Sequence, residues 1–231
     1  MLTLQASRRG QFEWAKWAAV VLMVVNHATL NLAPGLQVVG LALGRPCFAI
    51  FASLVVLALS DAAPSRTARY LLHLTVWGLI SQAVYAPLMG PTFGQPFNAL
   101  ISLALGVMLV QLHQGLHPMA AAVALLLFVL GADGHLDGGT WVPASIYLGW
   151  LAVRRWQLRP LTLCVAVSLA MVGMNHWHGH LIWPIAIASA AAPLILLASV
   201  RMPCPAPRVP GWLFYAFYPA HLAVILALSG Q

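Results

Sequence analysis

The decisive stretch is Trp14-Ala15-Lys16-Trp17-Ala18-Ala19-Val20-Val21-Leu22-Met23-Val24-Val25-Asn26-His27-Ala28-Thr29-Leu30-Asn31-Leu32. It is apolar for nearly 20 residues, about the length an α-helix needs to cross a bilayer core. Its only charge, Lys16, lies at the start, and its only polar pair in the second half is Asn26-His27. Long unbroken runs of this kind suit helices, because a barrel strand would alternate apolar and polar residues. No small-residue cleavage site follows the run, so it is expected to be retained as a first membrane helix.

The rest of the 231-residue chain repeats the theme. Hydrophobic residues make up 61% of it and charged residues 6%. A soluble domain carries roughly 25% charged residues, so the composition excludes a soluble enzyme and a disordered tail alike. The reading is an all-α, polytopic integral membrane bundle in one domain over residues 1–231. About nine segments fit the length a span requires. They fall near 14–32, 37–60, 69–88, 98–114, 118–132, 140–153, 158–174, 181–200 and 212–229. The fourth and fifth are expected to form a tight hairpin, since little more than His113 to Pro118 separates them.

Loop charges suggest an orientation. Lys+Arg number 11 against 4 Asp+Glu. The arginines are scattered between apolar runs as topology signals, not gathered as a nucleic-acid patch. With Arg8 and Arg9 cytoplasmic, alternate loops carry Arg66 and Arg69, then His113 and His117, then Arg154, Arg155 and Arg159, then Arg201 and Arg208. Asp133 and Asp137 fall on the other side. This gives a cytoplasmic N-terminus, a periplasmic C-terminus and an odd number of spans. Cys47, Cys164 and Cys204 form no CxxC pair, so neither a disulfide framework nor a zinc site is implied.

Polar groups inside such spans are costly and point to function by default. Arg45, in Gly44-Arg45-Pro46, is the one Arg outside the loops. The turn between the first two spans would bring it to the depth of His27. A neutral His can act as a general base, and an Arg can hold a carbonyl, a phosphate or a developing oxyanion. The bland alternatives are an Arg that snorkels to the interface and a His that bonds a neighbouring helix. Gln82 and Tyr85 lie in the third span, as substrate contacts or helix–helix glue. Asn98 opens the fourth span, to orient a substrate or cap its helix. Tyr218 and His221 flank Pro219 in the last span and are expected to face a cavity. His176, His178 and His180 alternate, but no carboxylate accompanies them. An interfacial role is preferred to zinc binding, and no metal is expected. Nucleophile-elbow, phosphate-loop, paired-carboxylate and calcium-loop motifs are missing from the sequence. No repeat of the transporter kind relates the two halves.

Taken together, Leu22-Met23-Val24-Val25-Asn26-His27, Gly44-Arg45-Pro46-Cys47-Phe48-Ala49-Ile50-Phe51-Ala52 and Phe214-Tyr215-Ala216-Phe217-Tyr218-Pro219-Ala220-His221-Leu222 resemble the TraX family. Trp77-Gly78-Leu79-Ile80-Ser81-Gln82 and Asn98 resemble it too, and the length resembles the TrbP-type members of conjugation systems. The resemblance implies a bacterial inner-membrane enzyme that modifies conjugative pilin, acetylating its N-terminus from acetyl-coenzyme A. His27 and Arg45 then fall on a His and an Arg important in related membrane acyltransferases, and His221 on the His of the C-terminal motif. The family usually has Asp where this chain has Asn26. Asn keeps the shape and loses the charge, which implies either an Asp→Asn replacement that silences the site or a member that works differently. Two other readings stand beside acetylation. One is transfer of a glycerophosphate-type group to pilin from phosphatidylglycerol or another phospholipid. The other is a pilin chaperone or small transporter with no enzymatic activity.

Overall fold

A computed structural model describes residues 12–89, 96–131, 135–137, 139–156, 162–169, 190–201 and 211–230. The helices are α1 (Glu13–Leu32), α2 (Gln37–Leu59), α3 (Pro64–Met89), α4 (Ala99–Gly115), α5 (Pro118–Gly131), α6 (Trp141–Trp156), α7 (162–169), α8 (Ala191–Arg201) and α9 (Gly211–Ser229). Helices α1, α2, α4, α5, α6 and α9 follow the expected segments to within three residues at each end, whereas α3 starts five residues earlier, at Pro64. Among the described residues, α1, α2, α3 and α9 are long and apolar enough to cross a membrane. With the composition, this makes the chain a helical membrane protein. Helices α4 and α5 are apolar but shorter. Most of the expected seventh segment and nearly half of the eighth lie outside the described residues, as do Arg8, Arg9, Asp133, Arg159, His176, His178, His180, Cys204 and Arg208.

Two compact units divide the chain. The first combines Met1–Leu54 with Arg159–Gly211. A 3-10 turn at Pro34–Leu36 joins α1 to α2, closed by Leu36 N–H donating to the Ala33 carbonyl at 2.8 Å. Gly40 and Gly44 lie one turn apart on α2 and pack directly on α1. A methyl group at Gly40 would collide with Thr29, and one at Gly44 with Asn26. In a bilayer, apolar burial contributes little to helix pairing, so small residues that let backbones approach supply the attraction through close contact. At the other end of α1, the Ala15 N–H has no intrahelical acceptor. It donates to Ser199 Oγ of α8 at 3.1 Å.

The second unit combines Val55–Leu158 with Trp212–Gln231. Helices α3 and α4 pack at Gly78, whose Cα faces Ile101, and α4 and α6 pack at Gly106, which faces Ile146. The α4–α5 hairpin turns over Leu116 and His117 just before Pro118. Trp150, 1% exposed, donates its Nε1–H to the Leu59 carbonyl at 3.2 Å. It thereby satisfies one of the orphan acceptors at the end of α2. Arg154 lies over the same indole, 5.1 Å from the ring centroid. Met119, Leu126, Leu127 and Leu130 of α5 are exposed, as side chains facing lipid would be.

Candidate functional site

In the first unit, the Gly44 contact sets the geometry. The Asn26 side chain lies against the α2 backbone at Gly44. The next residues along, His27 and Arg45, are therefore held at one level of the α1–α2 hairpin. The depth match expected from the short turn follows from this seam. His27 is buried at 3% exposure on α1. Asn31 Nδ2 donates to the His27 carbonyl at 2.8 Å, and Thr29 Oγ1 donates to the Val25 carbonyl at 2.7 Å. These local bonds occupy the last turns of α1 and leave the Asn26 side chain aside.

Asn26 Oδ1 and Arg45 Nε are both buried without a hydrogen-bond partner among the described residues. Each such group carries a penalty of roughly 1–3 kcal/mol, and more when charged. Pro46 sits inside α2 directly after Arg45. Proline has no N–H, so Pro46 cannot donate to the Ala42 carbonyl one turn before it. The hairpin thus offers one cationic donor and one neutral acceptor to a guest.

In the second unit, Gln82 and Asn98 are joined. Asn98 is the N-cap of α4, and its Oδ1 accepts from Leu100 N at 3.0 Å and Ile101 N at 3.3 Å. Its Nδ2 donates to the Gly78 carbonyl and to Gln82 Oε1, both at 2.8 Å. Gln82 Oε1 also accepts from Asn98 N at 2.9 Å, and Gln82 Nε2 donates to the Pro96 carbonyl at 3.2 Å. An Asn side chain has two donors and two acceptor lone pairs, and all four are filled. Of the two roles expected for Asn98, capping is the one this geometry displays.

Tyr85 is fully buried near the end of α3 and Tyr218 is 2% exposed on α9. The Asp137 carboxylate and Tyr218 both lie within electrostatic reach of the Tyr85 hydroxyl. Tyr218 meets His221 edge-on, with ring centroids 5.4 Å apart. His221 Nδ1 lies 3.0 Å from the Phe217 carbonyl. A carbonyl can only accept, so Nδ1 carries the proton of the neutral ring and Nε2 carries the lone pair.

Asp137 is the member that sequence reasoning missed. It reads there only as a loop charge. It is brought in by a bridge between Phe97 and Leu136: Phe97 N donates to the His135 carbonyl and Asp137 N to the Phe97 carbonyl, both at 2.7 Å. A two-residue pairing leaves no periodic trace. Gly139, at φ 65°, is the nearest signal that the loop turns sharply.

Comparison with known proteins agrees with the motifs. No curated protein and no solved structure matches the chain. The family described as "TraX protein" matches residues 11–229, nearly the whole length. The chain belongs to the TraX family.

Proposed function

We propose that this protein is a multi-pass inner-membrane transferase that modifies conjugative pilin by acyl transfer, as a TrbP-type member of its family. Family membership fits a role in pilin processing. The observation that carries the chemical reading is Arg45 Nε, a buried cationic donor without a partner among the described residues. Such a donor suits an oxygen on which negative charge develops.

In this reading acetyl-coenzyme A is the donor substrate. The pilin amine attacks the acetyl carbonyl, and a C–N bond forms as the C–S bond breaks. His27 accepts the proton that the amine loses and returns it to the leaving thiolate. Arg45 stabilises the oxyanion between these events. Asn26 stands beside the base without the charge an Asp would bring. Asn26→Asp is therefore expected to raise the modified fraction of pilin, because a carboxylate orients and charge-stabilises an imidazole that gains a proton.

The same Arg45 donor favours one other chemistry. A guanidinium binds phosphate as readily as an oxyanion, which supports transfer of a phosphoglycerol group from a phospholipid. The intact mass of pilin, from cells with and without this protein, separates the two. A shift of one acetyl group supports acyl transfer. A larger shift containing phosphorus replaces it with the lipid-derived reaction. An unchanged mass overturns both and leaves a chaperone or transporter.

A further inference from the structure

One end of the second unit gathers positive charge without gathering its complement. The end of α2, the start of α3, the ends of α4 and α6 and the α4–α5 turn meet there. We propose that this end is a binding site for one anionic phospholipid whose headgroup carries a free hydroxyl. The proposal does not depend on the pilin-modification reading, which concerns residues of the first unit.

Direct contacts fix the grouping. Trp150 of α6 donates Nε1–H to the Leu59 carbonyl at the end of α2. The His113 ring meets the same indole edge-on, with centroids 5.1 Å apart, and its Nδ1 lies 3.0 Å from Tyr147 Oη. Arg154 lies over that indole, also at 5.1 Å. Gln114 Nε2 donates to the Ala62 carbonyl at 3.3 Å, which ties the end of α4 to the turn that leads into Arg66. His117 Nδ1 accepts from Met119 N–H at 3.1 Å, so its Nε2 is left as a donor. Arg66, Arg69, Arg154 and Arg155 are exposed. Asp61 is the one carboxylate within residues 55–70, 107–121 and 141–156. None of the four arginines makes an ion pair among the described residues.

Basic residues at helix ends complement the helix dipole and mark topology. That would account for the arginines alone, but not for the glutamines beside them. Gln111 Oε1 and Gln114 Oε1 are buried at the same end of α4 with no hydrogen-bond partner among the described residues. An amide oxygen only accepts, so two acceptors stand among the cationic donors. A phosphodiester suits the guanidinium groups, and a headgroup hydroxyl suits a glutamine oxygen. Apolar surface continues from this end. Met119, Val123, Leu126, Leu127 and Leu130 are exposed along α5 at helical spacing, a stripe that begins two residues after His117. Cation, acceptor and apolar stripe match a phosphate, a hydroxyl and an acyl chain. Basic pockets between membrane helices hold lipids of this kind. A zwitterionic lipid lacks the net charge, and a lipid without a hydroxyl leaves the glutamine oxygens unpaired.

The test titrates the purified full chain with phosphatidylglycerol, phosphatidylmethanol or phosphatidylcholine of equal chain length and counts bound lipid by native mass spectrometry. Phosphatidylmethanol keeps the charged phosphodiester and lacks the hydroxyl. The wild type is expected to bind phosphatidylglycerol about 2- to 10-fold more tightly than phosphatidylmethanol, the factor one hydrogen bond provides. Phosphatidylcholine should bind least. Arg154→Gln together with Arg155→Gln should weaken both anionic lipids by about 25-fold, from about 5-fold for each charge. Arg155→Gln alone decides the matter if the double variant does not fold. Arg201→Gln removes an equal charge from the first unit and should change nothing. Gln114→Leu should bring phosphatidylglycerol down to the level of phosphatidylmethanol, and Gln111→Leu makes that comparison if Gln114→Leu does not fold. The ratio of the two lipids is the readout, because loss of the Ala62 bond alone would move stability and not the ratio. Phosphatidylcholine bound as well as phosphatidylglycerol, equal binding of the two anionic lipids, affinity unchanged by loss of the arginines, or a ratio unchanged by loss of the glutamine overturns the site. Displacement of bound phosphatidylglycerol by equimolar glycerol 3-phosphate assigns the site to a soluble phosphoester and overturns the lipid as its occupant.

Discussion

Gly44→Ala tests whether the α1–α2 seam positions the candidate site. The added carbon would stand 2.7 Å from Asn26 Cβ and closer still to Cγ, where ordinary contact begins near 3.4 Å. Asn26 Cγ could rotate away. Its Cβ is attached to the helix backbone and cannot, so about 0.7 Å must come from separating α1 and α2. Gly40 faces Thr29 one turn away, with Thr29 Cβ 2.8 Å from where a methyl would sit, so the helices cannot tilt apart about one point for free. Overpacking of this kind costs about 1–3 kcal/mol, which corresponds to a fall in Tm of roughly 2–12 °C for a chain of this size. A shift approaching 1 Å at His27 and Arg45 would also lower activity by about 10²-fold. Cys47 and Cys164 are buried, so a thiol-reactive dye reports unfolding in detergent without added labels. Gly35→Ala is the control, since nothing lies within 4 Å of its added methyl group. Asn26→Ala should rescue Gly44→Ala only in part, because it removes Cγ and keeps Cβ. The reasoning fails if Gly44→Ala melts with Gly35→Ala and modifies pilin as the wild type does.

Asn98→Ala removes the α4 cap and strands Gln82 and the Gly78 carbonyl; a loss of about 2–4 kcal/mol is expected. Asn98→Asp keeps the cap and loses the donors, so it should melt between the two. The same dye assay checks both. Arg45→Ala is expected to lower the rate of pilin modification by about 10²–10³-fold while leaving Tm unchanged or higher, because it deletes a buried donor with no partner. Wild-type rates in that variant would remove Arg45 from the chemistry. Trp150→Phe leaves the Leu59 carbonyl without its donor and weakens the contact with Arg154. It should cost about 1–3 kcal/mol, read as a lower melting temperature with pilin modification otherwise intact.

The helices were legible because apolar runs of fixed length have few other uses. Residues 14–32 and 212–229 map onto α1 and α9 almost residue for residue. The α4–α5 hairpin was legible because Pro118 marks a helix start and only Leu116 and His117 intervene. A similar level for His27 and Arg45 was expected from the short turn, but the Gly44–Asn26 contact beside them was not. The Gly40-x-x-x-Gly44 spacing that creates it is visible in the sequence, yet it becomes meaningful only when Thr29 and Asn26 are known to face it. Asp137 was not legible. Its approach to Tyr85 depends on a single bridge between Phe97 and Leu136, contacts nearly 40 residues apart that no local pattern encodes.

Cost alone could not rank the buried polar residues, because Asn98, Gln82, Asn26 and Arg45 are all expensive in an apolar helix bundle. Satisfaction ranks them. Asn98 spends every donor and acceptor of its side chain on the scaffold, so any ligand it contacted would have to break a bond that caps α4 or holds it to α3. Arg45 Nε and Asn26 Oδ1 meet no such competition. A guest that binds them gains a hydrogen bond without giving one up, and it removes a standing penalty of roughly 1–3 kcal/mol at each. The same ordering predicts how substitutions divide. Changes at Asn98 and Gln82 should act through melting temperature and carry activity down with it. Changes at Arg45 and Asn26 should act on activity with stability flat or improved. A variant of Arg45 that unfolds the protein would show that its guanidinium holds the bundle together, and the separation between scaffold and working groups would collapse at the residue on which it depends most.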